Sequence, residues 1–106
     1  MISVVFYEDK GKLLKGFLAS GHAGFLEYGK DIVCAAVSCA IQMCCNGITE
    51  ILKQRVIIDC SEGKISLNVE SNEKSIQNFL GALKLQLSLI EEEYPKNVEL
   101  KIVEVI

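Results

Sequence analysis

No charged side chain occurs between Asp31 and Glu50, and the first half of that interval, from Ile32 to Ile41, is small and apolar on nearly every side. A helix that is apolar all round must be covered all round. Asp31 is a good N-cap residue, so we place a helix from Ile32 to about Gln54. Gly47 weakens it by about 1 kcal/mol relative to alanine. In a chain of 106 residues, one sheet face covers only one side of such a helix. A second subunit is the simplest cover for the other side, so a two-fold homodimer is expected, with Val37, Ile41 and Cys45 at the contact. The apolar run is interrupted by Ser38 and falls short of the roughly 20 residues that span a bilayer, so no membrane partner is expected.

The rest of the chain alternates in short runs. Ile2 to Tyr7 is apolar and β-branched, Glu8 to Lys12 turns, and Leu13 to Ser20 returns as a second strand. Val56 to Cys60 and Ile65 to Glu70 form another hairpin around Ser61-Glu62-Gly63-Lys64. Ser71 or Asn72 is placed to cap a second helix. Its stripe Ile76, Phe79, Leu80, Leu83, Leu87, Ile90 has helical spacing. Tyr94-Pro95 ends that helix, because the residue before proline avoids the α region. Asn97 to Ile106 reads as a final strand. The order is ββαββαβ, a two-layer α+β domain over residues 1–106 with a mixed sheet and two main helices packed on it.

The net charge of −3 and scattered lysines lack the basic footprint of direct nucleic-acid binding. The N-terminal MISVVFYEDK does not resemble a secretory signal. Five cysteines, an odd number without a disulfide-like framework, fit a reducing compartment. A cytoplasmic location is expected.

His22 is the chain's one histidine, and Cys34 is the first cysteine, twelve positions on. With Asp31 as cap, Cys34 falls in the first turn of the helix. There the backbone N–H groups are unpaired and the helix dipole is positive. Such a setting stabilises a thiolate. A cysteine protease needs that thiolate for attack and a histidine to protonate the leaving amine. The free N–H groups suit an oxyanion. A lone cysteine in an apolar helix is also an ordinary core residue, and spacing by itself leaves both readings open.

Gly21-His22-Ala23, followed by Gly29-x-Asp31-Ile32-Val33-Cys34-Ala35-Ala36-Val37-Ser38, resembles the motif of the ribosomal-processing cysteine protease family of Firmicutes and related bacteria, and the resemblance extends over the chain in length and element order. It implies an endopeptidase with a histidine–cysteine dyad, His22 and Cys34, that works without a cofactor. It also implies a partner: a bacterial large-subunit ribosomal protein, the twenty-seventh, from which a short N-terminal extension is removed after an aromatic pair. A homodimer with a mobile loop over the site is implied as well. The rival class is a non-enzymatic ribosome-associated or assembly-binding module, in which the thiol is inert.

Other residues near the motif have two possible roles each. Asp31 caps the helix or orients His22. Ser38, one turn after Cys34, supports the site or bonds back to the helix carbonyl at 34. Gly21, Gly24 and Gly29 are turn residues or the joints of a loop that moves. Phe25, Leu26 and Tyr28 line a substrate pocket or dock the loop. Cys39, Cys44, Cys45 and Cys60 are expected to be packing residues. Cys34, Cys39 and Cys44 point to different sides of one helix and Cys44-Cys45 lack zinc spacing, so no metal is expected. Gly21-x-x-Gly24 lacks the third glycine of a dinucleotide site.

Overall fold

The computed structural model describes residues 1–21 and 30–105, with the side chains of Lys30 and Asp31 left aside. β1 (Ile2–Glu8) alternates, with Ile2, Val4 and Phe6 buried and the residues between them half-buried. Asp9 turns the chain: its Oδ1 accepts hydrogen bonds from the N–H groups of Gly11 (2.9 Å) and Leu13 (3.0 Å). β2 (Leu14–Gly21) returns antiparallel, with Phe6 opposite Phe17 and ring centroids 5.7 Å apart.

β3 (Val56–Ser61) and β4 (Lys64–Val69) form the second hairpin, and β4 pairs with β2 so that Ile65 faces Ala19. β5 (Val98–Glu104) runs parallel to β1 on its other side. The five-stranded sheet has the order β3-β4-β2-β1-β5. The expected mixed sheet and ββαββαβ order are the observed ones.

α2 (Lys74–Glu93) buries Ile76, Leu80, Leu83, Leu87 and Ile90, the expected stripe, with Phe79 partly buried beside them. Its cap differs from expectation. Glu73 occupies the N-cap without a side-chain bond, whereas Asn72 Oδ1 accepts from Lys15 Nζ at 2.6 Å and Ser71 Oγ accepts from the Glu73 N–H at 3.4 Å. Gln77 then ties α2 to the sheet, accepting from the Leu14 N–H (2.7 Å) and donating to the Leu14 carbonyl (2.8 Å).

α1 (Lys30–Asn46) begins one residue ahead of Asp31, so Asp31 lies in the first turn rather than at the cap. Val33, Val37, Ile41, Cys44, Cys45 and the following Ile48 enter the common core. This corrects the expected contact between copies. Val37, Ile41 and Cys45 are 3%, 3% and 8% exposed, turned inward against the protomer's own core. The face left open carries Ile32, Ala36, Cys39 and Met43, with Ile32 and Met43 at 65% and 66% exposure.

The helix also stops earlier than Gln54, passing at Gly47 into a wider turn, Gly47–Ile51, in which the Leu52 N–H donates to the Gly47 carbonyl at 2.9 Å. The 20 residues Ile32–Ile51 are long and apolar enough to cross a bilayer by length and composition, contrary to the count made from the sequence. Their buried stripe is core packing, which accounts for the same composition.

Burial pushes the Cys44 thiol up to about 12, with neighbouring Cys45 adding to the effect. Cys45 is pushed to about 11, by burial first and by Cys60 second. For an acid whose folded value is raised, stability is fully present below the unfolded value. It is lost as pH rises toward the folded one, because only the unfolded chain ionises there. Urea midpoints are therefore expected to fall from about pH 9 upward, starting at the ordinary thiol value of 9.0. The Cys44→Ala protein, although less stable at neutral pH, is expected to show a shallower alkaline fall. Equal slopes in the two proteins would assign the alkaline loss to other groups.

Candidate active site

Cys34 is half-buried on α1, one turn before Ser38 and two before Ile41. Residues four and seven apart share a helix face, so these three form one stripe. With Val37 they make one wall of a cleft of about 250 Å³. The opposite wall comes from strand ends: Ile2 of β1, Ala19, Ser20 and Gly21 of β2, and Gly63, Lys64 and Ile65 at the β3–β4 turn.

Gly21 holds this corner together. Its N–H donates to the Gly63 carbonyl at 3.0 Å, tying the end of β2 to the turn. Its φ of 84° is left-handed, and an added Cβ would strike the carbonyl oxygen of Met1. Both features demand glycine. Gly21→Ala is therefore expected to displace the chain entering position 22 and to cut peptidase activity by about 10-fold or more, on the scale of a misplaced catalytic group. Full activity with an unchanged melting curve would contradict it.

Cys34, Ser38 and Gly21 thus border one cleft. His22, Gly24, Phe25, Leu26, Tyr28 and Gly29 lie outside the described residues, and of Asp31 the backbone position alone is described. Sequence reasoning missed Ser20, Gly63, Lys64 and Ile65. The hairpin turn was visible in sequence, but nothing in its spacing connects it to Cys34.

The remaining thiols divide into two pairs. Cys44 is 2% exposed and its Sγ donates to the Phe79 carbonyl at 3.7 Å; Cys45 is 8% exposed. Both pack as expected. Cys39 and Cys60 are exposed, which corrects the packing role expected of them. Cys39 opens onto a second groove, of about 780 Å³, between the exposed faces of α1 and α2. Among the described residues, no three His, Cys, Asp or Glu side chains are grouped to hold a metal.

A thiol near the start of a helix, set in the wall of a cleft on this α+β scaffold, is the arrangement of a cysteine protease, and the chain is one. Its residues 1–99 match the family model described as cysteine protease Prp. A ribosomal processing cysteine protease Prp from Staphylococcus aureus is 35% identical over 104 residues, covering 94% of this chain and 97% of that protein. The crystal structure of a Streptococcus mutans protein superposes with a TM-score of 0.91 at 30% identity, over 99% of this chain and 96% of that one. A crystal structure of the S. aureus protease with a covalently linked product peptide gives 0.88 at 30% identity, over 96% and 99% of the two chains. The chain belongs to the cysteine protease Prp family.

Proposed function

We propose that this protease removes the N-terminal extension of large-subunit ribosomal protein twenty-seven in the cytoplasm, with His22 and Cys34 as its dyad. The observation that carries the reading is Cys34 itself: a half-buried thiol near the start of α1, at the edge of a cleft large enough for a side chain. The relatives' printed names, ribosomal processing protease, and their structures with substrate and covalently linked product peptides support the substrate class.

His22 takes the proton from the Cys34 thiol, and Sγ attacks the carbonyl carbon of the scissile bond, whose oxygen becomes an oxyanion. Backbone N–H groups of the first turn of α1 lack intrahelical partners and hold that charge. Collapse expels the amine of the mature ribosomal protein, which takes its proton from His22. The extension remains on Cys34 as a thioester. Water deprotonated by His22 then hydrolyses the thioester and restores the thiol. Every proton and bond is accounted for by the two side chains and water, so the reaction needs no cofactor.

The test is incubation with the organism's ribosomal protein carrying its natural N-terminus, read by mass spectrometry. One cut after an aromatic pair is expected; an intact substrate would overturn the reading. Selective labelling gives a second measure. Cys39 and Cys60 are exposed and also react, so iodoacetamide labelling is compared in a Cys39→Ser, Cys60→Ser background. Cys34 is expected to label about 10-fold faster than either exposed thiol does in the parent protein, and an inert Cys34 would favour a binding module.

The working unit in this reading is a homodimer joined through the α1–α2 groove. Ile32, Met43 and Leu85 line that groove and are exposed, and α1 carries no charged residue from Ile32 to Asn46. Contiguous exposed apolar surface of this kind marks an interface, and a closed pair of like chains buries it on both copies at once. Sedimentation at micromolar concentration is expected to give twice the 11.7 kDa chain mass. Met43→Glu is expected to shift it to the monomer. A monomeric parent protein would exclude the interface.

A further inference from the structure

Two thiols with no part in the proposed mechanism meet beside the cleft. Cys45 lies on α1 four residues after Ile41, one turn further along the stripe of Cys34, Ser38 and Ile41. Residues four apart share a helix face, and Cys45 is turned into the core. Cys60 lies on β3, the edge strand, directly opposite Ile65 of β4. Residues opposite each other in an antiparallel pair project to the same side of the sheet, and Ile65 faces α1 across the cleft. The alternation along β3 agrees, since Val56 and Ile58 pack against the core while Ile57 between them is 50% exposed. Cys60 shares the side of Val56 and Ile58 and so projects toward α1.

We infer that Cys45 and Cys60 form a redox pair, which peroxide joins in a disulfide that staples α1 to β3. Ile41 and Ile65 border the same cleft, and the two cysteines stand beside them, one on each wall. Cys60 also raises the Cys45 thiol, after burial, which requires the two sulfurs to be neighbours. Cys44 is aimed elsewhere, with its Sγ donating to the Phe79 carbonyl of α2. The inference is independent of the substrate proposed above.

The exposed Cys60 meets the oxidant first. Its sulfur attacks one oxygen of hydrogen peroxide and the O–O bond breaks. The departing hydroxide takes up the thiol proton as one water, and a sulfenic acid remains on Cys60. The Cys45 sulfur then attacks the Cys60 sulfur. An S–S bond forms, the S–O bond breaks, and the oxygen leaves as a second water with the Cys45 proton. Two thiols lose two electrons and one peroxide gains them. A thiol reductant reverses the bond, which suits a transient disulfide in a reducing compartment. The staple links the cleft wall carried by α1 to the hairpin that supplies the opposite wall.

The test uses the full chain with Cys34→Ala and Cys39→Ser, so that neither of those thiols competes. It is treated with hydrogen peroxide, digested with trypsin without reduction, and read by mass spectrometry. Trypsin cuts after Lys53 and Arg55, which separates the two cysteines. The expected product is one linked pair of peptides, two hydrogens lighter than their sum and lost on reduction. Fragmentation between Cys44 and Cys45 places the bond on Cys45. Adding Cys60→Ser, an exposed position, is expected to abolish the link. The bond closes a loop between positions fifteen apart, so the oxidised protein is expected to melt about 10 °C or more above the reduced one. A bond to Cys44, a bond between two chains, or Cys60 oxidised to a sulfinic acid without a link would overturn the inference. So would a linked protein that melts no higher than the reduced one.

Discussion

Cys34→Ala is expected to lower single-turnover cleavage by about 10⁴-fold or more, because covalent catalysis loses its nucleophile and no other group replaces it. His22→Ala is expected to cost about 10²–10⁴-fold, the usual contribution of a general acid–base group. The two losses should not add if, as proposed, thiol and imidazole act as a unit. The fold should survive removal of the Cys34 sulfur, which is half-buried and outside the fully buried core. Cleavage by either variant at close to the parent rate, with a normal melting curve, would remove that residue from the mechanism. The contrast is Cys44→Ala, where a fully buried thiol is lost and stability rather than rate should change.

Gly47→Val is expected to destabilise the protein by about 3 kcal/mol or more, the upper range for overpacking. A Cβ at this position would lie inside van der Waals contact with the Phe79 ring, at 2.7 Å from its Cζ. Phe79 is partly buried, packed against the core on one side and lining the α1–α2 groove on the other, so a retreat of the ring costs it that core packing. The two helices must separate or Phe79 must leave its site. A shift in melting temperature of more than 10 °C is expected, from about 4–8 °C per kcal/mol in a domain of this size. Phe79→Ala alone opens a cavity, but in the Gly47→Val background it makes room. The double variant should therefore be more stable than the sum of the single changes predicts. Strict additivity of the urea unfolding energies would show that the clash is relieved elsewhere.

The strands and α2 were legible in the sequence because their side chains alternate between wet and dry on a fixed period. Ile2, Val4 and Phe6 report a two-residue repeat, and Ile76, Leu80, Leu83 and Leu87 a helical one. α1 was legible as a helix, but its orientation was not. With no charged residue between Asp31 and Glu50, both of its faces read alike, and Val37 and Ile41 were assigned to the wrong side. Gly47 looked like a weak point in propensity terms, whereas its meaning is tertiary: Phe79, 32 positions away, occupies the space of a side chain. Cys34 stood out in the sequence through a long motif and its place near a helix start. The cleft wall opposite it did not, since Ala19 meets Ile65 and Ser20 meets Lys64 through strand pairing that no local pattern encodes.

The parallel pairing of β1 and β5 sets the order in which the molecule can mature. β1 can zip to β2 as soon as both exist, since a five-residue turn joins them. Its other edge waits for β5, which follows every other element in the chain. Until then the backbone of β1 from Ile2 to Glu8 presents an unmatched edge, the kind that recruits foreign strands. Closing a pair separated by nearly the whole chain is intrinsically slow. The newly made polypeptide is therefore most prone to aggregate just before β5 docks. A nascent copy halted ahead of Val98 carries Cys34 and its helix but lacks the strand that shuts the barn door on that edge.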